Sequence, residues 1–342
     1  MKKAAIVLFA ALILFMWPQK AGASDEISAK AAVVYEPFSG SFLYEKDADK
    51  QMLVASTTKI LTAAVVLENC ELDEAVEVSS EHASVEGSSM HLRPGESYTV
   101  EELLYGLMLA SGNDAAAALA EHTAGSMEAF VELMNERCGE LGLKNSHFMN
   151  SHGLDHPEHY SSARDLALIT EWAMENEDFC RIFSTESRSI KGIKYTNHNK
   201  LLGSCPGCIG GKTGYTEKAG RILVSCVERS GMRLICVTVS DPRDWEDHKE
   251  LYERCFEEYV FHPIPEEALQ LPSASKEGGY LRLSAASGGV CVPKDKEISF
   301  RVHLPRFVFI PVEEGKIAGW LEIVSKGSAE GEIPLCYAET TH

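Results

Sequence analysis

Residues 55–67 read ASTTKILTAAVVL, and the apolar side chains after Lys59 recur at helical spacing. The stretch therefore predicts a helix whose first turn carries Ser56 and, three residues later, Lys59. Residues three apart lie on one face of a helix, so the hydroxyl and the amine are within hydrogen-bond reach of each other. The N–H groups and the positive dipole end of such a helix also suit an oxyanion that forms beside Ser56.

The pair has two interpretations. A serine is a nucleophile only when a neighbouring base takes its proton, and lysine is such a base only when burial or a second cation lowers its pKa. The Ser-x-x-Lys pattern alone is weak evidence of this, because most such pairs are a helix cap followed by a solvated lysine. Both interpretations stay open until other parts of the chain are considered.

Two further motifs follow in order, Ser111-x-Asn113 and Lys212-Thr213-Gly214. The Ser111 hydroxyl suits proton transfer between a buried lysine and a leaving amine, and the Asn113 amide suits a substrate backbone. At the start of a strand, Lys212 and Thr213 suit a substrate carboxylate, while Gly214 leaves room for substrate against the strand. Each motif alone has an ordinary alternative, a turn between helices or a strand start. The three in order are far more specific than any one of them.

The first 23 residues have the order of a secretory signal peptide. Met1 is followed by two lysines, an apolar run extends to Trp17, and the small residues Ala21-Gly22-Ala23 predict cleavage after residue 23. The alternative is a buried or membrane-spanning helix, but the run is short for a span. We therefore expect a mature protein that works outside the cytoplasm, either released or attached to the cell envelope.

The composition indicates a folded, acidic protein. The chain has 342 residues, of which 45% are hydrophobic, enough for one large domain and a small one. Its formal net charge of -19 repels phosphate backbones, so nucleic acid is not an expected partner.

Ten cysteines and a histidine-rich segment raise the question of disulfides or a metal. Six cysteines fall in apolar or amphipathic segments, where this residue often serves as a small buried side chain. These six are Cys70, Cys138, Cys180, Cys226, Cys236 and Cys255. Cys205 and Cys208 form a Cys-x-x-Cys pair, which we interpret as a local disulfide or two free thiols.

The histidine-rich segment contains His147, His152, His156 and His159. Their spacing lacks the order of a zinc protease, so they predict a surface or cleft-lining loop.

Secondary-structure signals divide the chain into a mixed part and a β-rich tail. Predicted helices lie at residues 56–69, 103–110, 114–122, 127–141, 163–174 and 244–260. Predicted strands lie at 31–35, 41–44, 190–195, 221–227 and 232–239, then at 280–283, 298–304, 307–312, 317–324 and 333–337. Prolines at 263, 265 and 272 mark a boundary or linker. The expected organisation is a signal peptide at 1–23, an α+β catalytic domain at 24–262 and a β-rich domain at 263–342.

The three ordered motifs resemble the active-site signature of penicillin-binding proteins and serine β-lactamases. The flanking residues resemble one branch, the low-molecular-mass D-alanyl-D-alanine carboxypeptidases, from about residue 31 to residue 259. The segments that carry the resemblance are ASTTK at 55–59, SGND at 111–114, FVELMN at 130–135, GLD at 153–155, NHNKLL at 197–202 and GKTGYT at 211–216. The tail resembles that branch's C-terminal domain more loosely, chiefly through PVEEGKIAG at 311–319.

The resemblance implies an antiparallel sheet flanked by helices, followed by a small all-β domain. It also implies that Ser56 attacks the carbonyl between two D-alanines of a peptidoglycan stem peptide, with Lys59 as the base, and that water then hydrolyses the acyl-enzyme. The backbone N–H groups of Ser56 and Tyr215 are the implied oxyanion hole. β-Lactam antibiotics are the implied covalent inhibitors, and the implied mechanism needs no metal or organic cofactor.

The same resemblance assigns roles to the second and third motifs. It implies that Ser111 relays protons and that Asn113 and Thr213 position the peptide. It implies that Lys212 binds the terminal carboxylate and helps to keep Lys59 neutral, while Gly214 makes room for the substrate.

Three related functions stay open. A class A β-lactamase carries a Glu-x-x-Leu-Asn segment between the second and third motifs, which this sequence lacks. A penicillin-binding sensor or wall-binding protein without hydrolysis is opposed by the three intact motifs. A DD-endopeptidase is distinguished by the depth of its pocket, which the sequence does not show. The family commonly has a C-terminal amphipathic helix for membrane docking, and none is seen up to His342. Membrane attachment is left open between an uncleaved signal peptide and simple secretion.

Overall fold

The computed structural model describes residues 27–273 and 279–340. The predicted signal peptide at 1–23 lies outside these residues. The helices are α1 (Thr58–Asn69), α2 (Ser80–Ala83), α3 (Val100–Leu109), α4 (Asn113–Ala124), α5 (Met127–Glu140), α6 (Ala163–Ala173), α7 (Glu177–Phe183) and α8 (Asp244–Glu258). The first nine strands are β1 (Ala31–Glu36), β2 (Ser41–Lys46), β3 (Ala75–Glu77), β4 (Ser97–Thr99), β5 (Ser187–Ile190), β6 (Ile193–Thr196), β7 (Cys208–Thr216), β8 (Gly220–Arg229) and β9 (Met232–Val239). The remaining strands are β10 (Tyr259–Pro263), β11 (Gln270–Pro272), β12 (Tyr280–Ala285), β13 (Gly289–Pro293), β14 (Ser299–His303), β15 (Ile317–Ser325) and β16 (Ser328–Tyr337).

The larger compact unit contains the described residues of 24–37 and 42–255. Its five-stranded sheet has the order β2-β1-β9-β8-β7, with β7 at one edge. Strand β9 pairs antiparallel with both β1 and β8. Ser230 and Gly231 both have positive φ angles, 52° and 80°, and form the two-residue turn between β8 and β9. Such a turn matches the twist of an antiparallel pair, and it joins the strands predicted at 221–227 and 232–239 into a hairpin.

Helix α1 is the central element of the helical part. It is buried from Thr58 to Val66 and packs against α3, α4, α5, α6 and α7. A helix that is surrounded on all sides needs small and apolar residues on every face, which explains its run of alanine, valine and leucine. The spacing of Thr99 and Glu102 predicts a capping box before α3. The structure confirms it, because the Glu102 N–H donates to Thr99 Oγ1 at 3.1 Å and the Thr99 N–H donates to Glu102 Oε2 at 3.0 Å.

Several secondary-structure predictions in the larger unit were wrong. The strand predicted at 190–195 is the hairpin of β5 and β6, because Lys191 and Gly192 have positive φ angles and reverse the chain. The third motif lies in the middle of β7 and not at a strand start. Helix α7 was not predicted; it begins after Asn176, whose side chain accepts from the Phe179 N–H at 3.0 Å and the Asp178 N–H at 2.9 Å.

The smaller compact unit contains Phe38–Ser41 and the described residues from Phe256 onward. Its five-stranded sheet has the order β11-β12-β16-β15-β14, and β10 pairs with β13 in a separate two-stranded sheet. Leu271, Leu283, Leu321 and Leu335 are buried in its core. The strand predicted at 307–312 is not formed beyond a single bridge from Val308. The predicted domain limits, 24–262 and 263–342, stay a prediction.

The α+β class is confirmed, with helices around an antiparallel sheet and a strand-rich C-terminal part. Among the described residues, none of the helices combines the length and apolarity that a bilayer crossing requires.

Candidate active site

A strained turn presents Ser56. Residues Ala55–Thr57 form a short 3-10 turn that leads into α1, and Ala55 has a left-handed φ of 45°. A non-glycine residue in this region costs on the order of 1–3 kcal/mol, so the surrounding structure must hold it. The Thr57 hydroxyl donates to the Val54 carbonyl at 2.5 Å, and the Thr58 hydroxyl donates to the Ala55 carbonyl at 2.8 Å. These bonds fix the turn that carries the nucleophile candidate.

Two glycines allow other segments to touch this turn. A Cβ on Gly153 would lie 1.9 Å from the Ala55 carbonyl oxygen, and Gly153 has a φ of +88°. A Cβ on Gly214 would lie 3.1 Å from the Val54 carbonyl oxygen and 3.2 Å from the Ser56 nitrogen. Strand β7 and the loop at 150–154 therefore both lie against the backbone beside Ser56. A Cβ on Gly153 would clash with this backbone, and a Cβ on Gly214 would require its neighbours to move by a few tenths of an ångström.

The Lys59 amine lies among three oxygen atoms. Its Nζ is 2.9 Å from Ser56 Oγ, 2.7 Å from Asn113 Oδ1 and 2.5 Å from the His152 carbonyl oxygen. The Asn113 amide nitrogen donates to the Glu86 carbonyl at 2.6 Å, which turns the amide oxygen towards Lys59. The amine is therefore held by groups from the turn before α1, from α4 and from the loop at 150–154.

The surroundings of Lys59 favour the neutral amine. The side chain is completely buried, and burial lowers its pKa well below 10.5. The nearby Lys212 lowers this pKa further, while Asp114 opposes the shift. A neutral amine has two N–H donors and one lone pair. The two carbonyl-type oxygens, of Asn113 and His152, can only accept, so the lone pair is left for the Ser56 hydroxyl. With a neutral amine the Ser56 hydroxyl can donate to Lys59, whereas a charged amine donates to Ser56 Oγ.

The second and third motifs contact each other through Ser111 and Lys212. Lys212 Nζ donates to Ser111 Oγ at 2.9 Å and to the Thr213 carbonyl at 2.8 Å. Both side chains are buried, and burial lowers the pKa of Lys212 to about 7. Ser111 has a left-handed φ of 57°, so a second strained residue lies at this site. An ammonium group has three N–H donors, and these contacts use two of them.

The outer edge of β7 completes the candidate site. Thr213 is half-buried and Gly214 is buried, whereas the Tyr215 side chain is 65% exposed. Because β7 is an edge strand, its unpaired backbone groups can accept an extended peptide as an additional strand.

Residues 18–243 match the model of the peptidase S11 family, described as D-alanyl-D-alanine carboxypeptidase. This chain belongs to that family. It is 31% identical to the D-alanyl-D-alanine carboxypeptidase DacF of Bacillus subtilis (strain 168), over 91% of this chain and 85% of that protein. It is 30% identical to DacC of Escherichia coli (strain K12), over 95% of this chain and 89% of that protein. The crystal structure of penicillin binding protein 5 from Haemophilus influenzae superposes with a TM-score of 0.77 at 28% identity, covering 93% of this chain and 99% of that one.

Sequence reasoning missed two groups of this S11 site. Asp114 is buried at the start of α4, where its carboxylate accepts from Ser89 Oγ at 2.6 Å and from the Met90 and Leu92 N–H groups at 3.0 and 3.1 Å. An acidic residue in the first turn of an apolar helix was the available signal. The His152 carbonyl carries no such signal, because every residue has one.

The histidine-rich segment of the S11 domain is partly internal. His152 is half-buried, and burial and Lys59 lower its pKa to about 4. His159 is buried, contrary to the predicted surface or cleft-lining loop, because it packs edge-on against Phe148 and shares a hydrogen bond of 2.8 Å with Thr58 Oγ1. Burial lowers the pKa of His159 to about 3, so both histidines are neutral at pH 7.

Proposed function

We propose that this S11 protein is a serine-type carboxypeptidase that removes the terminal D-alanine from peptidoglycan stem pentapeptides through an acyl-enzyme on Ser56. The observation that carries the proposal is the 2.9 Å contact between Ser56 Oγ and the fully buried amine of Lys59. Burial supplies the lowered pKa that a lysine base requires.

In the acylation step, the Ser56 proton moves to Lys59 Nζ while Oγ bonds to the carbonyl carbon between the two D-alanines. The carbonyl oxygen becomes an oxyanion, for which the N–H groups of Ser56 and Tyr215 are the proposed donors. Gly214 supports this geometry, since a larger residue there would crowd the Ser56 nitrogen.

In the next step, the carbon–nitrogen bond breaks, and the nitrogen of the leaving D-alanine takes the proton that Lys59 received from Ser56, which makes Lys59 neutral again. The Ser111 hydroxyl, within 2.9 Å of Lys212, is the proposed relay for that proton. Water then attacks the ester with Lys59 again as the base, which releases the shortened peptide and restores Ser56.

The free edge of β7 is the proposed binding place of the substrate. The stem peptide adds along this edge in extended form, and Thr213 and Asn113 position it. Lys212 binds the terminal carboxylate with its remaining N–H donor. A carboxylate beside the buried Lys212 amine raises the pKa of that amine, so Lys212 is charged when substrate is bound.

β-Lactam antibiotics are the proposed covalent inhibitors, because their amide carbonyl enters the same reaction with Ser56. The proposed location is outside the cytoplasm after export through the predicted signal peptide at 1–23. Neither a cofactor nor nucleic acid has a part in the proposed reaction, and the mode of attachment to the envelope stays open.

The decisive test is incubation with a pentapeptide that ends in D-Ala-D-Ala, with free D-alanine as the readout. The parent protein and the control Ser184→Ala, at an exposed serine outside the site, are expected to release D-alanine, and Ser56→Ala is not. Labelling by a fluorescent penicillin is expected to follow the same pattern. Release by Ser56→Ala at the parental rate would refute the proposal. Rapid turnover of penicillin without D-alanine release would instead identify a β-lactamase, and a stable adduct without release a sensor.

A further inference from the structure

A thiol, a carboxylate and an imidazole converge at the opposite end of α1 from Ser56. Their ligand atoms, on Cys70, Glu74 and His122, all lie within 4.8 Å of one another. Cys70 directly follows the last residue of α1, Glu74 precedes β3, and His122 lies in the last turn of α4. Among the residues that the structure describes, this is the group of three such side chains that satisfies this distance.

The three groups are ligands that zinc commonly takes. In a tetrahedral site with bonds of roughly 2.0–2.3 Å, neighbouring ligand atoms lie ~3.3–3.7 Å apart. His122 Nε2 and Glu74 Oε2 are 2.9 Å apart, so they need only separate slightly, and the sulfur needs to approach by about 1 Å or less. Rotation of half-exposed side chains can supply such movements, since Cys70 and His122 are both half-buried.

Neighbouring groups hold two of these ligands in place. The Glu71 N–H donates to Glu74 Oε1 at 2.6 Å, which leaves Oε2 turned towards His122. The Thr123 hydroxyl donates to the Leu119 carbonyl at 2.7 Å, so the Cys70 thiol, whose sulfur lies 3.3 Å from Thr123 Oγ1, donates to that oxygen. Outer hydrogen bonds of this kind orient the ligands of metal sites and make their binding stronger.

We propose that Cys70, Glu74 and His122 bind one zinc ion per chain, with water as the fourth ligand. A thiolate together with an imidazole favours zinc over magnesium or calcium, which prefer sites made only of oxygen. On binding, the sulfur forms its bond to zinc and the thiol proton is released to solvent, so no oxidant or reductant takes part.

The proposed zinc joins three segments of the helical part. Helix α1 begins beside Ser56 and ends at Asn69, next to Cys70, whereas α4 begins at Asn113 and carries His122 in its last turn. A metal that connects the far ends of both helices to the chain before β3 stabilises the folded state, because the unfolded chain does not hold the ligands together. It touches none of the proposed reacting groups, so D-alanine release does not depend on it.

The binding test uses reduced protein in which Cys205 and Cys208 are both serine, because that thiol pair is a separate possible ligand. Zinc stoichiometry is measured by competition with a chromophoric chelator, and cobalt is substituted as a spectroscopic probe. We expect one zinc per chain and a thiolate-to-cobalt charge-transfer band. Cys70→Ser and His122→Gln are expected to lose both signals. The control His82→Gln removes a similar histidine–carboxylate pair, His82 with Glu121 at 2.8 Å, and is expected to retain them.

Thermal unfolding is the second measurement. Zinc at about 100 times its Kd is expected to raise the melting temperature of the Cys205/Cys208 double-serine protein by ~5–10 °C and that of Cys70→Ser by far less. If Cys70→Ser does not fold, Glu74→Gln replaces it, since this change leaves the side chain nearly unchanged in size. The proposal is overturned if the double-serine protein binds no zinc, or if the three ligand variants bind it as tightly as that protein does. D-alanine release is assayed in parallel, so failure of the zinc site is distinguishable from failure of the proposed reaction.

Discussion

Replacement of Gly153 by alanine tests whether the loop at 150–154 positions the nucleophile. The new Cβ would lie 1.9 Å from the Ala55 carbonyl oxygen, a backbone atom that cannot rotate away. The loop and the turn before Ser56 must therefore separate by more than 1 Å to restore an ordinary contact of about 3.4 Å or more. A displacement of this size at a reacting group costs roughly 100-fold in rate.

The stability cost has two parts that a control separates. Alanine at the positive φ of Gly153 costs roughly 1–2 kcal/mol, and the steric clash adds about 1–3 kcal/mol. Gly142 has a φ of +68° with open space around it, so Gly142→Ala carries the first cost without the second. Each kcal/mol corresponds to ~2–4 °C in melting temperature for a unit of this size.

The assays are thermal unfolding and the rate of acylation by a fluorescent penicillin. We expect Gly142→Ala to lose a few degrees and to acylate at the parental rate, and Gly153→Ala to lose more stability and most of the rate. Equal melting temperatures in the two variants, together with parental acylation by Gly153→Ala, would show that the close contact with Ala55 does not position Ser56.

Three further outcomes follow from the lysine pair. Lys59→Ala is expected to abolish acylation while its circular dichroism stays that of the parent; acylation at the parental rate would exclude Lys59 as the base. Asn113→Asp places a negative charge 2.7 Å from Lys59 Nζ, which raises the pKa of that amine. Because the amine must lose its proton before it can act as a base, the midpoint of the acylation–pH profile is expected to rise by about 1–3 units. An unchanged midpoint would contradict the assignment of Lys59 as the base. The pKa of Lys212 is about 7 in the folded protein and near 10.5 when unfolded, so the unfolded chain binds more protons between these values. In urea unfolding, the free energy of unfolding of the parent should therefore rise by ~1.4 kcal/mol per pH unit relative to that of Lys212→Met as the pH rises through this window. Identical dependence of the two free energies on pH would show that Lys212 is not buried as described.

Much of the local structure could be predicted because its causes lie within a few residues. The capping box of Thr99 and Glu102, the turn at Ser230-Gly231 and the helical spacing around Lys59 all follow from neighbours along the chain. The errors arose where one local signal had two meanings. The segment at 190–195, with its isoleucines and tyrosine, is typical of one strand unless the positive φ angles of Lys191 and Gly192 are foreseen. His159 lies in a polar segment but packs in the interior against Phe148.

The sequence by itself determined which chemical groups are available: a hydroxyl three residues before an amine, a second hydroxyl with an amide, and a second lysine on a strand. Only the tertiary structure brought Lys59 to Asn113 and Ser111 to Lys212, across 54 and 101 residues of chain. It also lowered the pKa of Lys59, because a pKa depends on how many atoms exclude water and which charges lie near. Those surroundings come from residues distant in sequence, and no short pattern encodes them.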